Sequence, residues 1–302
     1  MKIHRLFVVL SFAAVMAAGV TASFGQKAKP AAKPAKKIIF AVLSDGKSLE
    51  PIAYVNKGKL ETTVNGSDEK AIVNAFSNSY YKTGSVYRLI FGGADSGSVT
   101  VKSSNSKSEC AANTANTTTV SAKTTLKGMV MGLATNADTK KTGFFRRKPT
   151  VEEKAEIDAL VRTEYSNQKL TAKVLHYQNL TAIDVNNDGN AEFVGSYWIE
   201  VDKNTRALLF FIAEKFANGK YAMSFTDYRS IGREGVMSKD ISDVDKGVYH
   251  ELFLDSFDYD GDGVAEIFTY QQSFEGAGFA AYKKADGKWT KTYEFDNYHC
   301  GY

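Results

Sequence analysis

An acidic loop pattern occurs twice in the second half of the chain and constrains the fold around it. Residues 184–194 read DVNNDGNAEFV, and residues 258–268 read DYDGDGVAEIF. Each copy places a turn-forming stretch rich in aspartate, asparagine and glycine directly before an apolar segment with strand-forming residues. Two copies with the same register predict two similar β-units.

The order of segments around the two loops is also the same. It is strand, acidic loop, strand, strand, Asn-Gly or Asp-Gly hairpin, strand. The hairpin dipeptides supply the positive φ angles that tight turns need. Alternation with period two in the first copy predicts a half-buried strand, whose buried face consists of Phe193, Tyr197, Ile199 and Val201.

Two helices are expected among the strands. The segment 149–168 has Thr150 as N-cap and Glu153 three residues later, a capping box. Its apolar stripe, which is expected to pack on the protein core, consists of Ile157, Leu160, Val161 and Tyr165. Its solvated face is expected to carry Glu152, Glu153 and Glu156. A second helix is predicted over 68–81. The predicted fold class is therefore α+β, mostly β, with antiparallel sheets and two helices.

The first half of the folded chain is predicted to be β-rich. Residues 38–64 form short strands joined by turns at Asp45-Gly46 and Lys57-Gly58. The segments SVYRLIFGG and SGSVTVKSS, residues 85–93 and 96–104, indicate two further strands around a glycine-rich turn. Residues 103–127 are polar and are expected to form long loops with one or two exposed strands.

The amino terminus is typical of an exported protein. Residues 1–25 combine a basic start, an apolar run and small residues, which predicts a cleaved signal peptide. Residues 26–37 form a basic linker, residues 38–145 a β-rich region, and residues 146–302 an α+β region with the two loops. The expected location is secreted or periplasmic, with no transmembrane segment after signal cleavage.

Charge and cysteine content fit this assignment. Residues 1–37 contain seven of the 38 basic residues and none of the 34 acidic ones, which leaves a net charge of −3 on the rest. The rest has no basic stripe beyond FFRRK at 144–148, so nucleic acid is not an expected partner. Cys110 and Cys300 are the two cysteines of the chain. They could pair in an oxidising compartment, although the sequence alone leaves open whether they do.

The loops have the residue types and spacing of calcium ligands. Ca²⁺ takes six to eight oxygen ligands, and a short loop supplies them by wrapping around the ion. Alternate side chains converge, position seven offers its backbone carbonyl, and a glutamate returns from the next strand. The expected ligands of two Ca²⁺ sites are Asp184, Asn186, Asp188, Asn190 and Glu192, then Asp258, Asp260, Asp262, Val264 and Glu266.

The alternative interpretation is an acidic turn without a metal, because the same residues favour turns. Repulsion among neighbouring carboxylates favours the metal. The second loop has one carboxylate more than the first, so it is expected to bind calcium more tightly.

The loops resemble the calcium loops of FG-GAP and VCBS-type repeats, in which Asp-x-Asp/Asn-x-Asp-Gly-x-x-Asp/Glu precedes a hydrophobic strand. The resemblance covers residues 180–200 and 254–274. It implies calcium binding but not a complete propeller, because two copies are fewer than a propeller's blades. Positions 195 and 269, glycine and threonine, exclude an EF-hand, which needs glutamate there.

No catalytic motif stands out, so an enzyme is the less favoured interpretation. GADSGS at 93–98 indicates a turn, and His176, His250 and His299 are assigned to packing or the surface. Trp198 and Trp289 could form a sugar-stacking platform, although strand aromatics usually form core. The predicted function is a calcium-braced exported protein that binds another protein or a cell-surface glycan. The alternative is a secreted hydrolase or carbohydrate-binding protein braced by calcium.

Overall fold

The computed structural model describes residues 36–121, 124–138 and 146–300. The expected signal peptide and nearly all of the basic linker lie outside these residues. The described chain consists mostly of antiparallel β-sheet with a few helices, which confirms the predicted fold class. None of the helices in the described part combines the length and hydropathy needed to cross a membrane.

The two predicted helices are present. They are α1 (Lys70–Tyr80) and α2 (Val151–Asn167). The capping box is confirmed, since the Glu153 amide donates to Thr150 Oγ1 at 3.2 Å and the Thr150 amide donates to Glu153 Oε2 at 2.7 Å. The sequence did not predict the single-turn helix α3 (Ser242–Asp245) or the 3₁₀ turn Arg233–Gly235.

The acidic face of α2 is less solvated than expected. Glu153 forms a bidentate pair with Arg147 at 2.6 and 2.7 Å, and Glu156 accepts from the Tyr221 amide at 2.9 Å. These bonds attach the helix to the chain before it and to a neighbouring strand. Glu152 is exposed as predicted.

The first sheet contains seven strands: β1 (Lys37–Leu43), β2 (Ser48–Asn56), β3 (Lys59–Thr62), β4 (Val86–Phe91), β5 (Ala94–Ser104), β6 (Ala115–Ser121) and β7 (Gly132–Thr135). Their order is β1-β7-β4-β5-β6-β2-β3, and β1 also pairs with β2, so six strands form a closed ring. The turns at Asp45-Gly46 and Lys57-Gly58 have positive φ at all four residues, as predicted.

Two further sheets follow. The second contains β8 (Arg146–Arg147), β9 (His176–Ile183), β10 (Glu192–Asp202), β11 (Thr205–Lys215) and β12 (Tyr221–Gly232), and the third contains β13 (Glu251–Phe257), β14 (Glu266–Gln272), β15 (Gly276–Ala285) and β16 (Lys288–Tyr298). Strands β9 to β12 and β13 to β16 are both antiparallel meanders of neighbouring strands. The segment order predicted around each acidic loop is therefore observed.

The sheets stack in layers, which buries the third sheet on both faces. One face packs against the first sheet through Leu254, Phe268 and their neighbours, and the other packs against the second sheet through Phe253 and Ile267. Helix α2 covers the far face of the second sheet. The strands of each sheet come almost entirely from one of the two predicted regions, 38–145 or 146–302. The core between the first and third sheets nevertheless contains residues from both regions.

The half-buried strand predicted from period two is wrong for β10. Phe193, Tyr197 and Ile199 face α2 and are buried, but Val194 and Trp198 on the opposite face are buried as well. Val201, predicted to be buried, is 41% exposed. The third sheet covers Val194, and Val236 and Val244 of the segment after β12 cover Trp198. Local periodicity does not encode either of these long-range contacts.

Candidate metal centre

The two acidic loops lie side by side at one corner of the stacked sheets. The first connects β9 to β10, and the second connects β13 to β14. The Ala265 amide donates a hydrogen bond of 2.8 Å to the Val185 carbonyl, so the loops contact each other through their main chains. Both residues are fully buried in the cluster between the two sheets.

Both loops have nearly the same internal hydrogen bonds. The aspartate at position one accepts from the glycine amide at position six, at 2.9 Å in the first loop and 3.1 Å in the second. Position three accepts from the amide at position five, at 3.0 and 3.2 Å. Position five accepts from the amide at position seven, at 2.7 and 2.9 Å. These bonds give the two loops the same local fold, but among the described residues only the second loop brings three carboxylates together within 4.8 Å.

Two positions in each loop have a left-handed backbone. Gly189 and Gly263 at position six have φ of 85° and 96°, as expected for the sharp bend. Asn187 and Gly261 at position four have φ of 58° and 81°. The left-handed backbone at position four was not predicted from the sequence, although asparagine and glycine are the residues that tolerate this conformation best.

The closing glutamates are buried beneath the loops. Glu192 accepts from the Val185 amide at 2.9 Å, and Glu266 accepts from the Tyr259 amide at 3.4 Å. Burial raises the pKa of Glu192 to about 7, and the hydrogen bond from Val185 opposes this shift. Burial and the charge of Asp260 raise the pKa of Glu266 to about 8, while Lys283 acts in the opposite direction. A buried cation would favour the ionised form of both side chains.

The donor set of the second loop fits a calcium ion. One carboxylate oxygen from each of Asp258, Asp260 and Asp262 lies within 4.8 Å of the others. Oxygens that share an ion at 2.3 to 2.6 Å can be at most about 5 Å apart, so the observed spread is compatible with one Ca²⁺. Carboxylate, amide and carbonyl oxygens are also the ligands that this hard cation prefers.

Position seven differs between the loops. Asn190 is exposed, whereas Val264 packs against the cluster between the second and third sheets. The side chain at position seven of the second loop is therefore constrained by packing, although the sequence suggested that it was free to vary. The proposed role of the two backbone carbonyls as ligands stays a prediction.

A lysine from the neighbouring strand binds the second loop. Lys283 Nζ on β15 pairs with Asp260, lies 2.7 Å from Asp262 Oδ2 and lies 3.1 Å from Glu266 Oε1. The ammonium thus contacts three of the four acidic side chains. It relieves part of the carboxylate repulsion, which was the main reason for preferring a metal to an acidic turn.

The first loop has a glutamate at the corresponding place. Ile267, which follows Glu266, pairs with Tyr282, and Phe193, which follows Glu192, pairs with Ala213. The residues after these partners are Lys283 and Glu214, so these two occupy corresponding positions beside the two loops. Glu214 is buried and pairs with Lys284 of the third sheet. The sequence analysis missed these residues, because the loop motif does not reveal the register of the adjacent strand.

These contacts remove the reason for ranking the second loop above the first. Lys283 cancels the one additional carboxylate of the second loop, while Glu214 already has its own cation in Lys284. The two loops therefore have the same formal charge. The order of their affinities stays a prediction to be tested.

Comparison with protein-family models, with curated proteins and with solved structures finds no match for this chain.

The tryptophans do not form a sugar platform. Trp198 is 6% exposed and Trp289 is 3% exposed, so neither ring offers a face to a ligand. His176 stacks on Trp198 with ring centroids 4.1 Å apart, and buried His250 has Nε2 2.9 Å from the Val244 carbonyl, so both histidines pack as predicted. The turn predicted at residues 93–98 is shorter than expected: Gly92 and Gly93 form the turn, and Ala94 begins strand β5.

Proposed function

We propose that this is an exported calcium-binding protein in which ions at the two loops fasten the second sheet to the third. The observation that carries the proposal is the internal hydrogen bonding that the two loops share, together with the cluster of Asp258, Asp260 and Asp262 oxygens in the second loop. The disulfide between Cys110 and Cys300 supports an oxidising compartment.

Calcium has a structural role in this proposal. The loops contact through Ala265 and Val185, so an ion in either loop would stabilise the corner where both sheets meet. Exported modules of this kind bind calcium at about 10⁻⁴ to 10⁻³ M, a range suited to extracellular concentrations. The protein then acts through its surface, by binding another protein or a cell-surface glycan.

Thermal unfolding with calcium and with chelator tests the proposal. A ligand that binds only the folded state at about a hundred times its dissociation constant adds roughly 2.7 kcal/mol per site. We expect chelation to lower the melting temperature. Magnesium should restore it poorly, because Mg²⁺ requires tighter octahedral geometry.

Matched variants separate the two loops. Asp184→Asn and Asp258→Asn each remove one charge from position one, and each should reduce the calcium-dependent shift. Asp286→Asn, in an exposed Asp-Gly hairpin, is the control and should leave the shift unchanged. If calorimetry detects no calcium binding up to about 10 mM, ten times the weakest constant expected, the loops are acidic turns and the proposal is wrong.

A further inference from the structure

A second polar site lies away from the loops, where the first and third sheets meet. It is a cavity of about 500 Å³ whose wall includes Glu50 of β2, Tyr270 of β14 and His299. Pockets of about 300 to 1,000 Å³ commonly hold small molecules. The calcium proposal uses none of these residues.

Glu50 and His299 form a fixed pair in this cavity. His299 Nε2 lies 2.7 Å from Glu50 Oε1, and the Asn297 amide donates to the same oxygen at 2.6 Å. Asn297 in turn accepts from Asn113 Nδ2 at 2.8 Å. The disulfide to Cys110 holds Cys300, the residue next to His299. The carboxylate and the imidazole are therefore positioned by three segments that are distant in sequence.

Each member of the pair has one polar atom left over. Among the described residues, Glu50 Oε2, His299 Nδ1 and the Tyr270 hydroxyl make no hydrogen bond, and all three side chains line the cavity. The Glu50 side chain is only 3% exposed. His299 is 30% exposed and Tyr270 is half-buried, so a polar ligand in the cavity can reach the polar atoms that they present.

The charges of the two groups are opposite. The hydrogen bond to Glu50 raises the pKa of His299, and burial opposes this shift. A protonated imidazole offers an N–H donor at Nδ1, and the carboxylate offers an acceptor at Oε2. A ligand with only a carboxylate would leave Glu50 Oε2 without a partner, and one with only an ammonium would leave His299 Nδ1 without a partner.

The rest of the wall has an apolar part beside the polar side chains Ser44, Ser48, Asn105, Thr114 and Gln272. Leu43, Met129, Met131 and Leu252 line the same cavity. Methionine sulfur makes favourable contacts with aromatic rings, and its flexible side chain adapts to different shapes. An apolar or aromatic body would therefore fit beside the polar pair.

We propose that this cavity binds an apolar α-amino acid, with its ammonium on Glu50, its carboxylate on His299 and Tyr270, and its side chain on the methionine and leucine wall. The zwitterion offers a donor to Glu50 Oε2 and an acceptor to His299 Nδ1, which neither an amine nor a carboxylic acid does alone. This binding site is independent of the calcium loops.

Three probes that share one aromatic body test the proposal by titration calorimetry. They are L-phenylalanine, 3-phenylpropanoate, which lacks the amine, and phenethylamine, which lacks the carboxylate. We expect L-phenylalanine to bind with a dissociation constant of about 1 mM or lower, and the other two at least about tenfold more weakly. The proposal fails if none of the probes binds, or if either partial probe binds as well as L-phenylalanine.

Variants then assign each contact. His299→Gln should reduce the preference for L-phenylalanine over phenethylamine, and Glu50→Gln should reduce its preference over 3-phenylpropanoate. These ratios would not change if the substitutions only loosened the fold. His176→Gln and Tyr228→Phe lie outside the cavity and should bind as wild type does.

Tyr270→Phe keeps the proposal testable if the Glu50 variant does not fold. It removes one hydroxyl and leaves the packing of the ring unchanged. L-phenylalanine binding should weaken about tenfold or more, since a hydrogen bond to a charged group contributes more than a neutral one. Unchanged affinity in both Tyr270→Phe and His299→Gln would overturn the assignment.

Discussion

The ammonium of Lys283 lies 3.1 Å from the carboxylate of Glu266, inside the ligand set proposed for calcium. The lysine ammonium and a calcium ion would repel each other if both bound these oxygens, so calcium has to compete with the lysine. The first loop has Glu214 at the corresponding position. Competition from a lysine at this position is therefore expected only at the second loop.

Replacing Lys283 by methionine should have opposite effects with and without calcium. In chelator, the variant should melt at a lower temperature than wild type, because the carboxylates lose their counterion. Calcium affinity at the second loop should increase about tenfold, because the competitor is gone. Calorimetry on the Asp184→Asn background isolates this loop, and Lys288→Met is an exposed control. Equal affinities in Lys283→Met and wild type would show that the lysine does not compete.

The pH dependence of stability should reveal Glu192. Its folded pKa of about 7 is above its ordinary value of 4.5, so the folded state binds the proton more tightly. This contribution is complete below pH 4.5 and is lost as the pH rises through 7. In chelator, the free energy of unfolding should therefore fall between these values, by up to about 1.4 kcal/mol per pH unit.

Denaturant unfolding at several pH values measures this slope. Glu192→Gln should remove its own share of the slope and leave that of Glu266, whose pKa is about 8, whereas Glu200→Gln, an exposed glutamate on the same strand, should leave the slope unchanged. Calcium should also reduce the slope, because the ion stabilises the charged carboxylate. A slope that Glu192→Gln leaves unchanged would assign the proton to another group.

Features encoded by neighbouring residues could be predicted from the sequence. The capping box at Thr150, the hairpin at Asp45-Gly46 and the bend at Gly263 each depend on a few adjacent side chains, and all three are observed. The similar meanders around the acidic loops were predicted for the same reason. Their segment order repeats in the chain.

Features that depend on packing between distant segments could not be predicted. Strand β7 lies between β1 and β4, and the third sheet covers Val194 on the second face of β10, but no local pattern encodes either contact. Lys283 follows Glu266 by 17 residues and reaches it only through the pairing of β14 with β15. The pairing of Glu50 with His299 spans almost the whole folded chain.

The disulfide should contribute substantially to stability. Cys110 and Cys300 are bonded with Cα atoms 5.0 Å apart, 190 residues apart in sequence. On the chain-entropy model, a disulfide that closes a loop of this length stabilises the folded protein by up to about 5 kcal/mol. Cys110→Ser/Cys300→Ser should lose most of this in denaturant unfolding. Thiol titration of the denatured, unreduced wild type should detect no thiol, and two thiols per chain would contradict the bond.

The buried pair of Arg146 and Asp255 should be essential for joining the sheets. Arg146 Nη1 lies 3.0 Å from Asp255 Oδ2, and the aspartate also accepts from the Gly92 and Gly93 amides at 2.9 and 2.8 Å. The pair therefore connects β8, the β4–β5 turn and β13. Arg146→Met leaves a buried carboxylate without its cation, which typically costs about 3–5 kcal/mol of unfolding free energy.

A double-mutant cycle by urea unfolding distinguishes this pair from a surface contact. Arg146→Met/Asp255→Asn removes both charges and should lose less than the two single variants combined, since no uncompensated charge remains. Lys36→Met, which breaks an exposed pair with Glu61, should cost at most about 1 kcal/mol. Additive losses in the cycle would mean that Arg146 stabilises the fold by packing on Phe91 and Phe253, whose ring centroids lie 4.6 and 4.8 Å away, and not by its charge.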